Sequence, residues 1–386
     1  MQRDLYDADH EAFRAVAREF VQRDVVPHQQ RWETERFIDR DAWLAAGKQG
    51  LIGLPVPEEY GGPGAADFRY RCVLMEELAR VGAASLSSGF GLQDDIALPY
   101  LIDLGTAEQK SRWLPPMVSG ESIGAIAMTE PGAGSDLQGI TTTAVRDGEE
   151  WVVNGAKTFI TNGIAADLVI VVARTDPAAA ARGISLIVVE RGTAGFTRGR
   201  KLDKLGLHAQ DTAELFFDDV RVPASNLLGN LGGGFVHLME RLPRERMSIA
   251  VQAGTSVRAA IDWTVTYTKE RMAFGKPIAS FQNTQFELAN AVTEVDVLEA
   301  YLDKATLALN AGTLSAVDAA KAKLWATEVQ NRVIDRCLQL FGGYGFMMEY
   351  PIARVRRRAR ADHLRRDVRD HEDDHRPRHH RIAMIR

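Results

Sequence analysis

The chain has 386 residues, 45% of them apolar, a net charge of −5 at neutral pH and two cysteines, Cys72 and Cys337. This size and apolar content predict a large core in more than one domain, and no run has the apolar length of a membrane span. The charged N-terminus does not resemble a signal peptide and two distant cysteines do not make a disulfide framework, so we expect a cytoplasmic protein.

The predicted elements fall into three blocks along the chain. Residues 1–121 carry apolar side chains at helical spacing and predict an N-terminal helical domain. Residues 122–231 contain short β-rich runs cut by turns, such as DLVIVVART and GISLIVVE, and predict a central β domain. Helical periodicity returns in residues 232–354. This order indicates an α+β fold class.

The last segment, residues 355–386, differs from the rest in composition. It contains eleven Arg, six Asp or Glu and five His, with no Lys and no aromatic residue, so it carries +5 while the first 354 residues carry −10. His371, His375 and His379 have a spacing that would suit a metal on a helix, and a basic nucleic-acid arm is a second alternative. Interleaved acids and absent aromatics argue against nucleic-acid binding, and we predict no metal site.

Two motifs of the central block have the chemistry of a ligand site. In MTEPGAGSD (128–136), glycines let the backbone approach a ligand, and Thr129 and Ser135 supply hydroxyls. In KTFITNG, alternation along a strand places Phe159 and Thr161 on one side, where they could hold a flat heterocycle. An ordinary Gly-rich turn and a plain core strand are the alternatives.

Two further motifs lie near the ends of the C-terminal helices. In ERMAFGKPIASFQ (270–282), Arg271 could pair with a phosphate, although a solvated surface charge is the simpler interpretation of that residue alone. In QLFGGYGF (339–346), the two adjacent glycines would allow a tight turn beside a ligand.

Together these segments resemble the acyl-CoA dehydrogenase family, from about Asp9 to Arg354. The most specific stretches are MTEPGAGSD and KLGLHAQDTAELFFDDVRVP, followed by QLFGGYGFMMEYPIAR. The resemblance implies an N-terminal helical domain, a central β-barrel-like domain and a C-terminal four-helix bundle, with FAD between the last two.

The resemblance also implies the cofactor site. The flavin would be lined by the residues around the first two motifs, with Thr129 bonding the ring, Phe159 packing on it and Thr161 near N5: Ile126, Met128, Thr129, Gly134, Ser135, Phe159 and Thr161. A second set would bind the pyrophosphate and adenosine of FAD in a neighbouring subunit: Arg271, Phe274, Gln282, Gln339, Gly342 and Gly343. A homo-oligomer, usually a tetramer, is therefore implied.

The stretch MERLPRERM (239–247) contains two candidate bases. Glu240 and Glu245 are five residues apart, about 140° around a helix, so both cannot face one site. The stretch resembles the long-chain and isovaleryl-type branches, which implies Glu245 as the catalytic base and Glu240 as a solvated helix residue. Ser135, Arg244 and Arg246 would contact the acyl-CoA substrate.

The predicted function is an FAD-dependent acyl-CoA dehydrogenase that desaturates a medium- or long-chain acyl-CoA to trans-2-enoyl-CoA in fatty acid β-oxidation. Electrons would pass to an electron-transferring flavoprotein. The alternatives are a short branched-chain, isovaleryl-type dehydrogenase, an oxidase variant and a degenerate family member that holds no flavin and serves as a scaffold.

The family pattern is lost after Arg354. Because several codons encode most amino acids, codons for ADHLRRDVRDHEDDHR (361–376) read from their second base can encode Gln-Thr-Ile-Tyr-Gly-Gly-Thr-Ser-Glu-Ile-Met-Lys-Thr-Ile-Ile-Gly, which resembles the family tail. We infer a one-nucleotide frameshift near codon 354, either in the gene or in its reading.

Overall fold

The computed structural model describes residues 3–355, which form a group of N-terminal helices, a central sheet and three long C-terminal helices. The predicted α+β fold class is confirmed. The first strand begins at Gly124 and the first long C-terminal helix at Gly234, whereas the domain limits themselves stay predictions. Apart from Val355, the atypical tail and its histidines lie outside the described residues.

The N-terminal part contains seven α-helices: α1 Ala8–Phe20, α2 Gln29–Glu35, α3 Arg40–Lys48, α4 Phe68–Arg80, α5 Ala84–Gly91, α6 Leu98–Leu104 and α7 Ala107–Val118. Helix α1 begins after Asp7, whose carboxylate accepts hydrogen bonds from the backbone N–H groups of Asp9 and His10. A π-helical segment, Leu92–Ala97, joins α5 to α6 into one continuous and largely buried rod. Such π-helical insertions often mark functional sites.

The central part is a mixed sheet of eight strands: β1 Gly124–Ala127, β2 Thr143–Asp147, β3 Glu150–Thr161, β4 Leu168–Arg174, β5 Ile184–Glu190, β6 Phe196–Lys201, β7 Thr212–Pro223 and β8 Leu227–Leu228. The strand order is β6-β7-β3-β2-β4-β5-β8, with β1 parallel to β4. Strands β4 and β5 are buried almost throughout, which explains their uninterrupted apolar runs. The long β3–β7 pairing contains two register shifts, and the second of these lies at the candidate site.

The C-terminal part contains three long helices and a short hairpin: α8 Gly234–Glu270, β9 Met272–Ala273, β10 Lys276–Pro277, α9 Gln282–Asn310 and α10 Ala316–Leu340. Helix α8 continues through Pro243, which supplies no N–H to the carbonyl four residues earlier. Residues 351–355 are helical and close the described part, so the number of bundle helices stays a prediction. Within residues 3–355, no helix is long and apolar enough to cross a membrane.

The π-helical segment connects the sheet to α8. On one side the Gln93 side chain donates to the Met117 carbonyl (2.8 Å) and accepts from the Gly124 N–H (2.9 Å), at the start of β1. On the other side Asp95 accepts a hydrogen bond from the Ser248 hydroxyl (2.6 Å) on α8. These contacts are buried, and they fix α8 beside the sheet with a cavity between them.

Candidate active site

A cavity of about 820 Å³ lies between the π-helical rod, strand β3, the loop after β6 and the first half of α8. Its lining includes Ile126 of β1 together with residues of both predicted central motifs and of the MERLPRERM stretch: Met128, Thr129, Gly134, Ser135, Phe159, Thr161, Glu245 and Arg246. The tertiary structure therefore brings together segments that lie about 30 to 120 residues apart.

The MTEPGAGSD loop forms one wall of this cavity. A Cβ atom added at Gly134 would meet none of the described protein atoms within 4 Å, so the backbone here borders open space. Thr129 and Ser135 line the same wall, and the Thr129 carbonyl accepts the Thr158 N–H (2.9 Å). The wall thus combines hydroxyls and exposed backbone, which suits a planar polar ligand that lies close to the main chain.

A buried ion pair supports this loop from behind. Lys157 Nζ lies 2.8 Å from Glu130 Oε1 and also donates to the carbonyls of Met128 (3.1 Å) and Val172 (2.7 Å). Glu130 accepts three more hydrogen bonds from Thr141 and Thr142. Burial alone would raise the pKa of Glu130, but Lys157 and the threonine donors lower it to about 2. The ionised Glu130 carboxylate therefore ties the loop to Lys157 of β3, and Lys157 in turn is bonded to Val172 of β4.

Strand β3 departs from simple alternation where it enters the cavity. Phe159 has a φ of 59°, in the left-handed region, and lies within the register shift between Lys157 and Ile160. Its side chain is 67% exposed, and Phe159, Ile160 and Thr161 all line the cavity. Strand alternation predicts Phe159 and Thr161 on one side of β3, but the bulge also brings Ile160 to the lining.

The two glutamates of the MERLPRERM stretch have different surroundings. Glu245 is 9% exposed and lines the cavity, whereas the side chain of Glu240 is 61% exposed and lies near His237 and Arg241. Within the described residues the only other carboxylate in the lining is Asp203, whose exposed side chain pairs with Arg36 at 2.8 Å. Glu245 is therefore the buried acid of this cavity.

Glu245 is contacted by a residue that sequence analysis did not single out. Tyr100, which is fully buried on α6, donates its hydroxyl hydrogen to Glu245 Oε1 (3.1 Å). The Arg241 guanidinium lies over the Tyr100 ring at 5.1 Å and donates to Asp103 (3.0 Å). No local pattern indicated these contacts, because Tyr100 reads as an ordinary core residue of an apolar helix.

The cavity lining at Gly91 lies beside a second buried ion pair. Arg71 and Asp95 have side chains 1% and 0% exposed, and Arg71 Nε lies 3.0 Å from Asp95 Oδ1. A Cβ added to Gly91 would lie 3.3 Å from Asp95 Oδ2, 3.5 Å from Arg71 Nη2 and 3.5 Å from Ser248 Oγ. Gly91 is part of the cavity lining, so a side chain at this position would lie against the buried ion pair and Ser248.

The second predicted set of cofactor residues lies elsewhere. Arg271, Phe274, Gln282, Gln339, Gly342 and Gly343, here called the bundle-end residues, are exposed, and none of them lines the cavity formed by residues 3–355. They lie where α8 and α10 end and α9 begins, and Arg271 lies over the Tyr344 ring at 5.4 Å. From Arg246 to Arg271 a helix rises ~37 Å, too far for both regions to line one cavity.

The two arginines that flank Glu245 are also separated. Arg246 lines the cavity and donates to the Ala316 carbonyl (3.4 Å). Arg244 is not among the lining residues, and its guanidinium lies over the Phe68 ring at 5.4 Å. Consecutive positions on a helix point about 100° apart, so residues two apart face opposite sides. A substrate contact for Arg244 is therefore the less supported of the two predictions.

The lining fits a flavin beside an acyl thioester. The open space at Gly134, the exposed aromatic face of Phe159 and the hydroxyls of Thr129 and Thr161 border the same volume. Residues that would hold the ring are therefore present on one side, and a buried carboxylate is present on α8. No group of three or more His, Cys, Asp or Glu side chains that could hold a metal ion is found in the described part of the chain.

Comparison with known proteins gives matches along nearly the whole chain. Three family models match in order: the N-terminal domain of acyl-CoA dehydrogenase at residues 7–121, its middle domain at 125–220 and its C-terminal domain at 232–364. The long-chain specific acyl-CoA dehydrogenase of Sus scrofa, a mitochondrial protein, is 47% identical over 92% of this chain and 82% of its own length. The mitochondrial isovaleryl-CoA dehydrogenase of Solanum tuberosum is 36% identical over 92% and 86%.

A solved structure shows the same architecture. The acyl-CoA dehydrogenase of Geobacillus kaustophilus superposes with a TM-score of 0.90 at 49% sequence identity, covering 93% of this chain and 94% of that one.

Proposed function

Because the chain belongs to the acyl-CoA dehydrogenase family, we propose that it desaturates a medium- or long-chain acyl-CoA to trans-2-enoyl-CoA. The observation that carries this proposal is Glu245, a buried carboxylate in the same cavity as Thr129, Phe159 and Thr161. A base is needed where the thioester meets the flavin, and Glu245 is the buried acid available there.

Glu245 takes the proton from C2 of the acyl chain. The C2–H bond breaks, its electron pair forms the C2=C3 double bond, and the hydrogen on C3 leaves with its own pair as a hydride. The bound flavin supplies the acceptor for that hydride. Burial of Glu245 keeps water away from the carboxylate, which strengthens its interaction with the acidic C–H of the substrate.

The other lining residues would position the reactants. The hydroxyls of Thr129 and Thr161 would donate hydrogen bonds to the flavin ring. Phe159 would pack on the ring, and Ser135 would face both the ring and the thioester. Arg246 would contact the CoA portion. This arrangement would hold the reacting carbon between a base and a hydride acceptor, and such positioning accelerates the reaction.

The length of the acyl chain is proposed from the part of the lining around Gly91. Ser88 and Gly91 are small residues of this lining, and apolar side chains such as Leu92, Ile96 and Ile249 also line the cavity. Such a lining favours a straight chain of medium or greater length over a compact branched one. The higher identity to the long-chain relative than to the isovaleryl-type relative supports the same choice.

The cofactor is proposed to be FAD, shared across a subunit boundary. Members of this family hold a flavin and are oligomers that bind acyl-CoA. The bundle-end residues are too far from the cavity of their own chain, so we propose that they contact the adenosine and pyrophosphate of FAD in a neighbouring subunit of a tetramer. An electron-transferring flavoprotein is the proposed acceptor of the electrons.

The test is reduction of the enzyme by its substrate without oxygen. Protein loaded with FAD is mixed with butyryl-, octanoyl-, palmitoyl- and isovaleryl-CoA, and loss of flavin absorbance is followed by stopped flow. We expect octanoyl- or palmitoyl-CoA to reduce the flavin fastest. Faster reduction by isovaleryl-CoA would support the branched-chain alternative, and protein that takes up no FAD would support the scaffold alternative.

Two matched variants test the base. Glu245→Gln keeps the size of the side chain and is expected to bind FAD and acyl-CoA but to slow flavin reduction by about 10²–10⁴-fold or more. Glu240→Gln makes the same change on the exposed side of α8 and is expected to react at the wild-type rate. The reverse result would show that the assignment of Glu245 is wrong.

A further inference from the structure

We propose that Tyr100 is a positioning residue for Glu245. This inference rests on the proposed function, because it concerns the state of the base before it takes the C2 proton. The Tyr100 hydroxyl lies 3.1 Å from Glu245 Oε1, the residues are 145 positions apart in sequence, and both side chains are buried. The bond joins α6 to α8 across the wall of the cavity.

The hydrogen bond has two consequences for the carboxylate. A donor at Oε1 fixes the rotation of the carboxylate about its last C–C bond, so the proton-accepting group has a defined orientation towards the cavity. The same donor favours the ionised form over the neutral one, because an ionised carboxylate is the stronger acceptor. Tyr100 therefore keeps Glu245 oriented and ionised without itself contacting the substrate.

Arg241 holds Tyr100 in its donating position. Its guanidinium lies 5.1 Å from the centre of the Tyr100 ring, on the same helix as Glu245 and four residues before it. The guanidinium is itself fixed by Asp103 (3.0 Å) and by the His237 carbonyl (3.1 Å). A cation over an aromatic ring withdraws electron density from it, which makes the phenol hydrogen a better donor.

Other charged groups also face the cavity, so the pH dependence of Glu245 must be separated from theirs. From the elements packed around it, these groups are Asp203 and Lys204 of the loop after β6, Arg246 of α8 and Lys323 of α10. Asp95 reaches the lining through Ser248. None of these groups changes in a Tyr100→Phe variant, so a shift in the profile of that variant reports on the phenol hydrogen.

The direction of the expected shift follows from the ionised form that Tyr100 stabilises. Without the phenol hydrogen, the carboxylate accepts a proton from solvent more readily, so the acid limb of the pH profile moves to higher pH. Once ionised, the same carboxylate is a stronger base. Tyr100→Phe is therefore expected to be slower than wild type at low pH and to approach or exceed it at high pH. A purely structural defect would lower the rate at every pH.

The measurement is hydrogen exchange at C2 of a 3-thiaoctanoyl-CoA in D₂O. Sulfur at position 3 leaves the C2 proton acidic but removes the C3 hydride, so Glu245 exchanges hydrogen for deuterium without flavin reduction, and mass spectrometry counts the deuterium. For Tyr100→Phe we expect the acid limb to move up by about one pH unit, a tenfold change in the ionisation constant. An unchanged limb, or a uniform loss across the pH range, would overturn the proposal.

One control variant and one further test variant complete the experiment. Tyr301→Phe removes a hydroxyl that donates to the Asp318 carbonyl (3.2 Å) in the bundle, and its exchange profile is expected to match wild type. Arg241→Met keeps the Tyr100 hydroxyl and is expected to move the acid limb of the pH profile in the same direction by less than one pH unit. This variant tests the proposal even if Tyr100→Phe does not fold. In the Tyr100→Phe background Arg241→Met is expected to add a smaller shift, because its effect through the phenol is gone.

The design separates two kinds of failure. Wild-type protein that neither exchanges the C2 hydrogen nor is reduced by any acyl-CoA contradicts the proposed function. Wild-type protein that does both, with a Tyr100→Phe profile identical to its own, contradicts only the role of Tyr100.

Discussion

Lys157→Met is expected to lower both the free energy of unfolding and the retention of FAD. Lys157 donates to Glu130 and to the carbonyls of Met128 and Val172, and methionine has nearly the same length but no donor. Removing one partner of a buried ion pair costs about 3–5 kcal/mol. Glu130 keeps its hydrogen bonds from Thr141 and Thr142, so we expect the lower end, about 3 kcal/mol of unfolding free energy.

The ion pair also predicts how stability depends on pH. The pKa of Glu130 is lowered from 4.5 to about 2, so the folded state stabilises the ionised carboxylate. That contribution is complete above about pH 4.5 and is lost as the pH falls towards 2, and at about 1.4 kcal/mol per unit it amounts to roughly 3 kcal/mol. Without Lys157 the carboxylate is less stabilised, so the stability of the variant is expected to fall less steeply between pH 5 and pH 3.

Urea denaturation at pH 7, 5, 4 and 3 measures both effects, and the ratio of flavin to protein absorbance after gel filtration measures FAD retention. Lys321→Met is the control, because Lys321 is exposed and pairs with Asp318 at 3.2 Å on the surface of α10. Its effect is expected to stay within about 0.5 kcal/mol. A Lys157→Met protein within about 1 kcal/mol of wild type, with full FAD retention, would refute the reasoning.

Three further outcomes are expected. Gly91→Val places side-chain atoms against Asp95 and Arg71 and is expected to lower kcat/KM for palmitoyl-CoA by about tenfold or more relative to butyryl-CoA, and an equal loss for both substrates would contradict the proposal that the acyl chain lies beside Gly91. Phe274, which is 95% exposed, is proposed to lie at a subunit boundary. Phe274→Ser is therefore expected to reduce both the assembly mass seen by light scattering and FAD content, and a change in neither would count against that boundary. Replacing residues 361–376 by the re-framed tail is expected to raise FAD occupancy and activity, whereas equal values with either tail would show that the Gly-Gly-Thr stretch is dispensable.

Local sequence determined the blocks of the fold and two walls of the site. The β-rich runs that form β4 and β5 predicted strands of a central β domain, and helical periodicity predicted the long C-terminal helices, because the spacing of apolar side chains differs between strands and helices. The MTEPGAGSD and KTFITNG motifs both line the cavity. The five-residue separation of Glu240 and Glu245 already required that they face different sides of α8, since helix geometry is fixed.

Only the tertiary structure decided which distant side chains meet. Strand alternation could not reveal the left-handed φ of Phe159, because a bulge is set by the register with the partner strand β7. The Lys157–Glu130 and Tyr100–Glu245 contacts join separate elements, and no spacing in the sequence encodes such a distance. The surroundings of Glu245 therefore depend on how α6 packs against α8, which is fixed by the whole core rather than by any one motif.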